Sequence, residues 1–283
     1  MKPRIYVIVG PTASGKSAYA VELARKLNGE VISADSRQVY RGLDIGSGKI
    51  TNTEMRGVPH HMLDVVDPKR VFTAHDYAQM AHPILADIIA RGKAPIICGG
   101  TGFYIDALLG RTSLPDVPPD SKLRARLAKK SPAQLFAMLE KKDERRAASI
   151  DRHNSVRLIR ALEIVAALGS VPPMSRFHLD TPVEWIGIER SDDELRTRIH
   201  ARLVQRMKTG MLAEVRRLHE RGLSYKRMEE LGLEYRYLAR YLRGTLSKKA
   251  MLTELEHEIW QYAKRQRTYW RKNSDAVWNK LTE

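Results

Sequence analysis

The chain has 283 residues, enough for one large domain or two modest ones, and its 43% of hydrophobic residues supplies a core that excludes wholesale disorder. Lys and Arg number 49 against 33 Asp and Glu, which gives a net charge of +16. This charge attracts polyanions and favours a nucleic-acid partner, although a solvated basic surface is equally compatible with it.

The first predicted elements are a strand, a loop and a helix. The run RIYVIVG at Arg4–Gly10 is β-branched and ends in glycine, which predicts a buried strand. After the loop GPTASGKS, apolar residues recur at helical spacing through Leu27, and Asn28-Gly29 is expected to end the helix. EVISA, at residues 30–34, predicts a second strand, and Asp35 follows at its carboxyl end.

Further strands and helices follow in alternation. VFTAHDYAQMAHPILADIIARG predicts a helix that begins near Thr73 and stops at Gly92, with Pro83 as a potential kink. APIICGGTGFYIDALL repeats the order of strand, glycine turn (Gly99–Thr101) and helix. This alternation predicts a parallel sheet with helices on both faces, whose ligands bind at the carboxyl ends of the strands. The loop, Asp35 and the glycine turn all belong to that edge.

The pattern changes after a Pro-rich segment, RTSLPDVPPD. From Ser121 to about Leu168 only helical periodicity is present, and a second loop returns the chain to a strand, WIGIE, and then to more helices. We predict a P-loop kinase-like α/β core from residues 1–115 and 180–283, with an all-helical insertion domain at 116–179. The basic excess lies outside the P-loop part, in the insertion and in the C-terminal third.

One cysteine, Cys98, rules out an internal disulfide and fits a reducing compartment. It stands in an apolar run and is interpreted as a small buried hydrophobic residue. No stretch approaches the roughly 18 apolar residues of a membrane span, and a strand-like run begins too soon after Met1 for a signal peptide. We expect a soluble cytoplasmic protein without membrane contact, and a monomer.

The loop GPTASGKS matches the phosphate-binding pattern Gly-x-x-x-x-Gly-Lys-Ser. Its glycines let backbone N–H groups point at phosphate oxygens, Lys16 adds a cation, and Ser17 can bind Mg²⁺. The strand before it and the helix after it are the context that this motif requires. The predicted diphosphate-binding residues are Gly10, Pro11, Thr12, Ala13, Ser14, Gly15, Lys16 and Ser17.

The residues beside the loop at the same sheet edge are polar. Asp35 is compatible with a turn-former, with Mg²⁺ binding and with a base that takes a proton from an acceptor. Ser36 and Arg37 follow it, and the amide of Gln38 could read a base edge. The Thr101 hydroxyl is compatible with a helix cap and with a donor to a leaving oxygen.

Three pairs or stripes of basic residues are candidates for anion binding. Arg198, Arg202 and Arg206 recur every four residues, so an anionic partner would relieve their repulsion. In IWQYAKRQRTYWRK, Trp260 shares one face with three cations, an arrangement that suits RNA but also a solvated face over a core. The cations of that face are Lys264, Arg267 and Arg271. Arg157 and Arg160 lie one turn apart in VRLIRALEI. His60-His61 has no further ligand at metal spacing, so a structural or substrate-positioning role is favoured.

Several stretches together resemble one family, the tRNA dimethylallyltransferases. They are GPTASGKS, SADSRQVYRGLDIGSGK, VPHHMLDV, ICGGTGFY, RLIRALEI, GMLAEVRRL and AKRQRTYWR, in family order over nearly the whole chain. Two stretches differ from the usual family pattern. Residues 46–50 read GSGKI where Gly-Thr-Ala-Lys-Pro is usual, and residues 231–236 read LGLEYR where Ile-Gly-Tyr-Lys/Arg-Glu/Gln is usual.

The resemblance implies transfer of a dimethylallyl group from dimethylallyl diphosphate to N6 of adenosine 37, in the anticodon stem-loop of tRNAs that read codons beginning with U. It implies Mg²⁺ as cofactor, Asp35 as general base, and Lys16 and Thr101 as stabilisers of the departing diphosphate. The expected tRNA contacts are Asp35, Ser36, Arg37, Gln38, Thr101, Arg157, Arg160, Lys264, Arg267 and Arg271.

Two other functions remain open on the residues alone. A small-molecule kinase of the P-loop class would place ATP in the loop, but leaves the basic helices without a role. An RNA-binding module with a vestigial loop is less compatible with intact Lys16 and Ser17.

Overall fold

The computed structural model describes residues 4–112, 115–173 and 181–280. The chain divides into two compact units, one of Met1–Leu109 with His178–Glu283 and the other of Gly110–Phe177. The second unit overlaps the predicted insertion at 116–179, and residues 174–180 of the second predicted loop lie outside the described residues. No helix in the described part of the chain is long and apolar enough to cross a membrane.

The first unit contains a parallel sheet. Across the described residues its strands lie in the order β3–β2–β4–β1–β5–β6, and every neighbouring pair is parallel. The strands are β1 Ile5–Val9, β2 Gly29–Ser33, β3 His60–His61, β4 Ala94–Cys98, β5 Val183–Glu189 and β6 Ala276–Lys280. Ile8 and Ser33 both pair with Cys98, so β1, β2 and β4 end at the same level of one edge.

Helices surround this sheet and form the second unit. Those of the first unit are α1 Lys16–Leu27, α2 Asn52–Met55, α3 Ala74–Ala90, α4 Gly102–Leu108, and, after the second unit, α9 Asp192–Lys208, α10 Met211–Glu220, α11 Tyr225–Leu231, α12 Leu233–Leu242 and α13 Lys248–Trp270. Those of the second unit are α5 Ser121–Leu127, α6 Pro132–Glu140, α7 Glu144–Ala147 and α8 Ser155–Leu168.

Local sequence sets the predicted helix ends. Thr73 caps α3, since its side chain accepts from the Asp76 N–H and Asp76 in turn accepts from the Thr73 N–H. Asn28 ends α1 in the left-handed conformation with φ of 49°. The helix α3 continues through Pro83 and ends at Ala90. The predicted starts and stops of these helices are thus correct to within two residues.

Two strands were not predicted from the sequence. β3 has only two residues, and it forms by pairing with Val31 and Ile32 of β2. β6 follows the last helix and pairs with β5 along its length, with the Trp278 ring where a side chain at Gly187 would stand. Both depend on a neighbouring strand that is distant in sequence, so local periodicity does not reveal them.

The regular elements of the second unit, in its described residues, are helices. Its core consists of apolar residues from all four of its helices, among them Leu127, Leu139 and Leu158. Glu163 lies within this unit with only 2% of its surface exposed. Its carboxylate accepts hydrogen bonds from the Arg124 side chain at 2.7 Å and from the Asp120 N–H at 2.8 Å. A buried charge of this kind is stable only because it is paired.

Candidate active site

The phosphate loop joins β1 to α1 through backbone conformations that few residues adopt. Gly10 has φ of 147° and Gly15 has φ of 102°, both in the region that favours glycine. A β-carbon at Gly10 would lie 2.5 Å from the Ile188 carbonyl oxygen, so β5 leaves no room for a side chain there. The two glycines of the motif are therefore required by geometry.

Lys16 is the first residue of α1, and its side chain folds back over the loop. Its Nζ donates a 2.6 Å hydrogen bond to the Pro11 carbonyl oxygen. Burial lowers the pKa of Lys16 to about 8, and the nearby Arg202 contributes, although Cys98 and Asp35 act in the opposite direction. An ammonium group that is enclosed in this way is stabilised by an anionic ligand.

Ser17 lies beside Lys16 in the first turn of α1 and lines the same cavity. The first N–H groups of a helix have no partner within it, so α1 directs its positive end at this space. Within the described residues, no group of three or more His, Cys, Asp or Glu side chains could hold a metal ion. Mg²⁺ usually takes one or two protein ligands and fills its shell with phosphate oxygens and water, so one hydroxyl beside a diphosphate fits this ion.

Asp35 follows β2 and shapes the turn after it. Its Oδ1 accepts hydrogen bonds from the N–H groups of Arg37 at 2.8 Å and Gln38 at 3.4 Å. Asp35 also lines the cavity beside the phosphate loop. Two of the interpretations of this residue, a turn-former and a carboxylate that faces the ligand, are therefore compatible in one side chain.

The polar residues after Asp35 make contacts within the protein. The Gln38 amide accepts from Ser33 Oγ and donates to the Gly48 carbonyl oxygen, both at 3.3 Å. Arg37 Nη1 donates to the Ser36 carbonyl oxygen at 3.0 Å. To read a base edge, Gln38 would have to exchange these partners.

Thr101 lies in the turn between β4 and α4. Its Oγ1 accepts a hydrogen bond from the Ser36 N–H at 3.0 Å, and its side chain does not cap α4. Thr101 occupies the N-cap position of α4, but its hydroxyl makes no capping bond and instead joins the turns after two strands. Tyr262 of α13 is hydrogen-bonded to the same hydroxyl, and burial together with Asp35 raises the pKa of that phenol, which keeps it protonated.

The arginine stripe of α9 faces the phosphate loop. Arg198 Nε donates to the Ala13 carbonyl oxygen at 2.9 Å. Burial lowers the pKa of Arg202 to about 10, and the neighbouring Arg206 contributes to this shift. The repulsion that the spacing predicts is therefore present in the folded protein, beside Lys16.

Together these elements line a cavity of about 790 Å³ in the first unit. This volume suits a small-molecule ligand. Its lining includes residues 12–18 of the loop and α1, Asp35, Gln38, Gly48, Lys49, Gly99, Gly100, Arg198, Arg202, Arg206, Tyr262 and Gln266.

The two stretches that differ from the family pattern contact each other, and residues 47–50 of the first stretch line this cavity. Glu214, 4% exposed, accepts hydrogen bonds at Oε1 from the Gly46 N–H at 3.0 Å and from the Tyr235 hydroxyl at 2.9 Å. Arg206 Nη1 lies 3.2 Å from Glu234 Oε1 and 3.4 Å from the Gly46 carbonyl oxygen. Burial raises the pKa of Glu234. The two stretches are therefore linked by a shared carboxylate and a shared guanidinium.

The arginines predicted to bind tRNA on α13 have partners within the protein. Arg267 forms an ion pair with Asp192, and Arg271 Nη2 lies 3.1 Å from Glu189 Oε1. Arg267 keeps 19% of its side chain exposed and Arg271 keeps 60%. A phosphate would compete with these carboxylates for the guanidinium groups.

Trp260 and Lys264 lie on one face of α13, and the Trp260 ring is buried there. It is 6% exposed, and the Arg196 guanidinium and the Lys264 ammonium lie 4.0 Å and 5.8 Å from its ring centroid. The ring is covered by cations in this arrangement. The helix α13 therefore buries this large apolar ring beneath one cation of its own and one of α9.

The arginine pair of α8 divides into one engaged and one exposed residue. Arg160 Nη1 lies 3.2 Å from Glu163 Oε2, and its Nη2 donates to the Val117 carbonyl oxygen at 2.9 Å. Arg157 is exposed at the surface of the second unit.

The histidine pair has structural partners. His61 Nε2 lies 2.7 Å from Glu30 Oε2, and His60 Nδ1 lies 2.8 Å from the Val58 carbonyl oxygen. Cys98 is buried, and burial raises the pKa of its thiol to about 11. These residues support the sheet.

Sequence reasoning did not single out Gln266, Glu214 or Tyr262 as site residues. Glu214 lies in GMLAEVRRL and Gln266 in AKRQRTYWR, two of the stretches that carry the family resemblance. Tyr262 lies in IWQYAKRQRTYWRK, where only Trp260 and the cations were singled out. Only the fold shows that Gln266 reaches the phosphate loop, that Glu214 reaches the turn at Gly46, and that Tyr262 reaches Thr101.

A phosphate loop, a carboxylate and an arginine stripe around one cavity are the arrangement of a P-loop α/β enzyme. The predicted fold class is thereby confirmed. A family model described as IPP transferase matches residues 38–273. The tRNA dimethylallyltransferase 2 of Citrifermentans bemidjiense is 43% identical over 274 residues, which cover 95% of this chain and 87% of that protein. The tRNA dimethylallyltransferase of Halalkalibacterium halodurans is 38% identical, covering 100% and 93%.

Solved structures agree. The full-length tRNA isopentenylpyrophosphate transferase of Bacillus halodurans is 37% identical with a TM-score of 0.74, covering 99% of this chain and 90% of that chain. A eukaryotic dimethylallyltransferase acting on tRNA is 25% identical with a TM-score of 0.85, covering 99% and 74%. The chain belongs to the IPP transferase family. The resemblance and the enzyme class predicted from the sequence are confirmed.

Proposed function

We propose that this protein transfers a dimethylallyl group from dimethylallyl diphosphate to N6 of adenosine 37 in tRNAs that read codons beginning with U, with release of diphosphate. The observation that carries the proposal is the cavity in which the phosphate loop, Asp35 and the arginines of α9 meet. Diphosphate, acceptor base and transferred group can react there within one space.

The donor's diphosphate binds in the phosphate loop. The N–H groups at the start of α1, Lys16 and the Arg198 and Arg202 guanidiniums stabilise the negative charge that grows as the carbon–oxygen bond breaks. Mg²⁺, held by Ser17 and the donor's own oxygens, would neutralise part of this charge. An allylic diphosphate ionises readily when its leaving group is stabilised in this way.

The acceptor requires a base and a flipped nucleotide. The exocyclic amine of adenine is a weak nucleophile, so the Asp35 carboxylate takes its proton as the new nitrogen–carbon bond forms. Adenosine 37 leaves its stack to reach the cavity. Thr101, fixed by the Ser36 N–H and by Tyr262, supports the turn at which the two substrates meet.

The anticodon stem-loop binds to basic residues of the protein. Ser36, Arg37 and Gln38 contact the loop near adenosine 37, and the cations of α13 contact phosphates of the stem. Arg157 and Arg160 give the second unit its part in tRNA binding. The protein acts as a monomer in the cytoplasm.

The test incubates the purified protein with Mg²⁺, radiolabelled dimethylallyl diphosphate and unmodified tRNA that carries adenosine at position 37. Label is expected in the tRNA, at N6 of that nucleoside after digestion. Absence of label from the tRNA would overturn the proposal. Hydrolysis of ATP, or phosphorylation of a small acceptor, would favour the kinase that the phosphate loop alone allows.

A further inference from the structure

The side chain of Gln266 bridges two loops of the active site. Its Oε1 accepts a 2.7 Å hydrogen bond from the Thr12 N–H, within the phosphate loop. Its Nε2 donates a 3.0 Å hydrogen bond to the Gly100 carbonyl oxygen, in the turn after β4. Gln266 is 5% exposed and belongs to α13, more than 160 residues from either partner in sequence.

We propose that Gln266 is a positioning residue for the donor, which sets the distance between the phosphate loop and the glycine turn. The inference rests on the proposed function and names a residue through which its donor site is built. The phosphate loop needs this support, because Ala13 has φ of 63°, a conformation that costs energy for a residue with a β-carbon. A neighbouring bond at Thr12 holds the strained segment in place.

An amide is the side chain that fits both partners. One end must accept a hydrogen bond and the other must donate one, and neither a carboxylate nor an aliphatic side chain can do both. The bond to Thr12 also commits that N–H to the protein. The donor's diphosphate is therefore bound by other N–H groups of the loop.

Gly100 shows how closely the amide packs on the turn. A β-carbon at this position would overlap the Nε2 of Gln266. Gly100 does not have a positive φ, so its backbone conformation is open to alanine. The absence of a side chain at position 100 is explained by the amide, and Gly100→Ala displaces that amide without a change in Gln266 itself.

The anchor behind Gln266 is rigid. Trp270, one turn further along α13, is 2% exposed, and Ala263 is 1% exposed. Tyr262, one turn before Gln266, meets the Thr101 hydroxyl. The helix α13 thus supports both loops from one buried face. The position of the Gln266 amide therefore sets the position of both loops.

The experiment compares Gln266→Met, which keeps the volume and loses both hydrogen bonds, with Gln261→Met on the same helix. Binding of inorganic pyrophosphate, KM for dimethylallyl diphosphate, kcat, tRNA affinity and thermal unfolding are measured. For Gln266→Met we expect pyrophosphate binding to weaken and KM to rise by about tenfold, the loss of one or two hydrogen bonds. The tRNA affinity is expected to stay within about twofold, and Gln261→Met should match the wild type.

Two further variants separate positioning from folding. In Gln266→Glu the ionised carboxylate faces the Gly100 carbonyl oxygen, whereas the protonated acid donates to it as the amide does. The ratio of the variant's KM to the wild-type KM should therefore shrink as the pH falls through the pKa of the introduced carboxyl group. Gly100→Ala should reproduce the effect of Gln266→Met, and the double variant should add little to either.

The outcomes are distinct. If the wild type transfers the group and Gln266→Met binds pyrophosphate as tightly as the wild type does, the positioning role is overturned while the proposed function stands. The positioning role is likewise overturned if Gly100→Ala binds pyrophosphate as tightly as the wild type does. A wild type that transfers no label overturns the proposed function, while pyrophosphate binding still decides the role of Gln266.

Discussion

At the scale of single residues, the site depends on side chains that bond to the protein backbone and also line the cavity. Asp35 binds two backbone N–H groups through one carboxylate oxygen. Lys16 binds a loop carbonyl while it lies in the donor cavity. Substitutions must therefore be chosen so that the hydrogen bonds to the backbone are kept.

The conservative change at Asp35 is Asn, because the amide keeps an oxygen that accepts from Arg37 and Gln38. The base is lost, so kcat is expected to fall by roughly 10²–10⁴-fold with tRNA affinity within about twofold. Single-turnover transfer and tRNA binding are measured in parallel, with Asp193→Asn on the exposed side of α9 as the matched control. Equal losses of binding and turnover would make Asp35 a binding residue.

Lys16 predicts a pH dependence of donor affinity. Its pKa of about 8 in the free protein rises when an anion binds, so the complex takes up a proton as it forms above pH 8. Pyrophosphate affinity is therefore expected to fall as the pH rises through about 8. In Lys16→Arg the guanidinium stays charged over this range. The pH dependence of this variant therefore reports the ionisation of pyrophosphate alone and serves as the reference.

Calorimetric titrations between pH 7 and pH 9.5 give the affinities of both proteins. The wild-type affinity should decline relative to that of Lys16→Arg across this range. Parallel curves would assign the ammonium of Lys16 an ordinary pKa.

At the scale of elements, the helices carry arginines that form ion pairs within the protein and are also proposed to bind tRNA. Arg267 and Arg271 are paired with Asp192 and Glu189, so tRNA must compete for them. Glu163 holds Arg160 in the same way within the second unit. The internal pairs set how much each arginine contributes to binding.

The cations of α13 are tested by neutralisation. Arg267→Gln and Arg271→Gln together are expected to weaken tRNA binding and to reduce the slope of log affinity against log salt by about 1 to 2. Lys248→Gln, at the exposed start of the same helix, is the control. Unchanged affinity across a salt series would assign this face to solvent.

The arginines of α8 should separate stability from binding. Glu163 has a lowered pKa, since the hydrogen bonds from Arg124 and the Asp120 N–H outweigh the effect of burial. Arg160→Gln removes another of its partners and is expected to cost about 1–3 kcal/mol in the free energy of unfolding. Arg157→Gln should leave stability unchanged and weaken tRNA binding.

Urea unfolding and tRNA binding of the two variants are compared. The depressed carboxyl pKa stabilises the fold above the ordinary pKa of Glu, and this stabilisation is lost as the pH falls through the folded value. The cost of Arg160→Gln should therefore shrink in acid. A cost that does not change with pH would show that Arg160 acts through packing alone.

At the scale of the whole molecule, the sequence predicted the sheet edge that carries the site. The phosphate loop, Asp35 and Gly99–Thr101 follow three strands whose ends meet because Ile8 and Ser33 share Cys98 as a partner. The alternation of strands and helices in the sequence predicts a parallel sheet, and the carboxyl ends of its strands lie at one edge whatever the tertiary contacts are. Gln266 and Glu214 could not be predicted, because their partners lie far away in sequence and only the packing of α10 and α13 brings them together.

The net charge of +16 leads to a prediction for the complete enzyme and its substrate. Phosphate contacts are independent of sequence, whereas transfer requires the amine of adenosine 37. Replacing adenosine 37 by guanosine should therefore leave the salt dependence of tRNA binding unchanged and abolish transfer. Filter binding over a salt series and incorporation of label are measured on the same two tRNAs. A shallower slope for the guanosine tRNA would mean that the flipped base itself brings phosphates into contact with the basic helices.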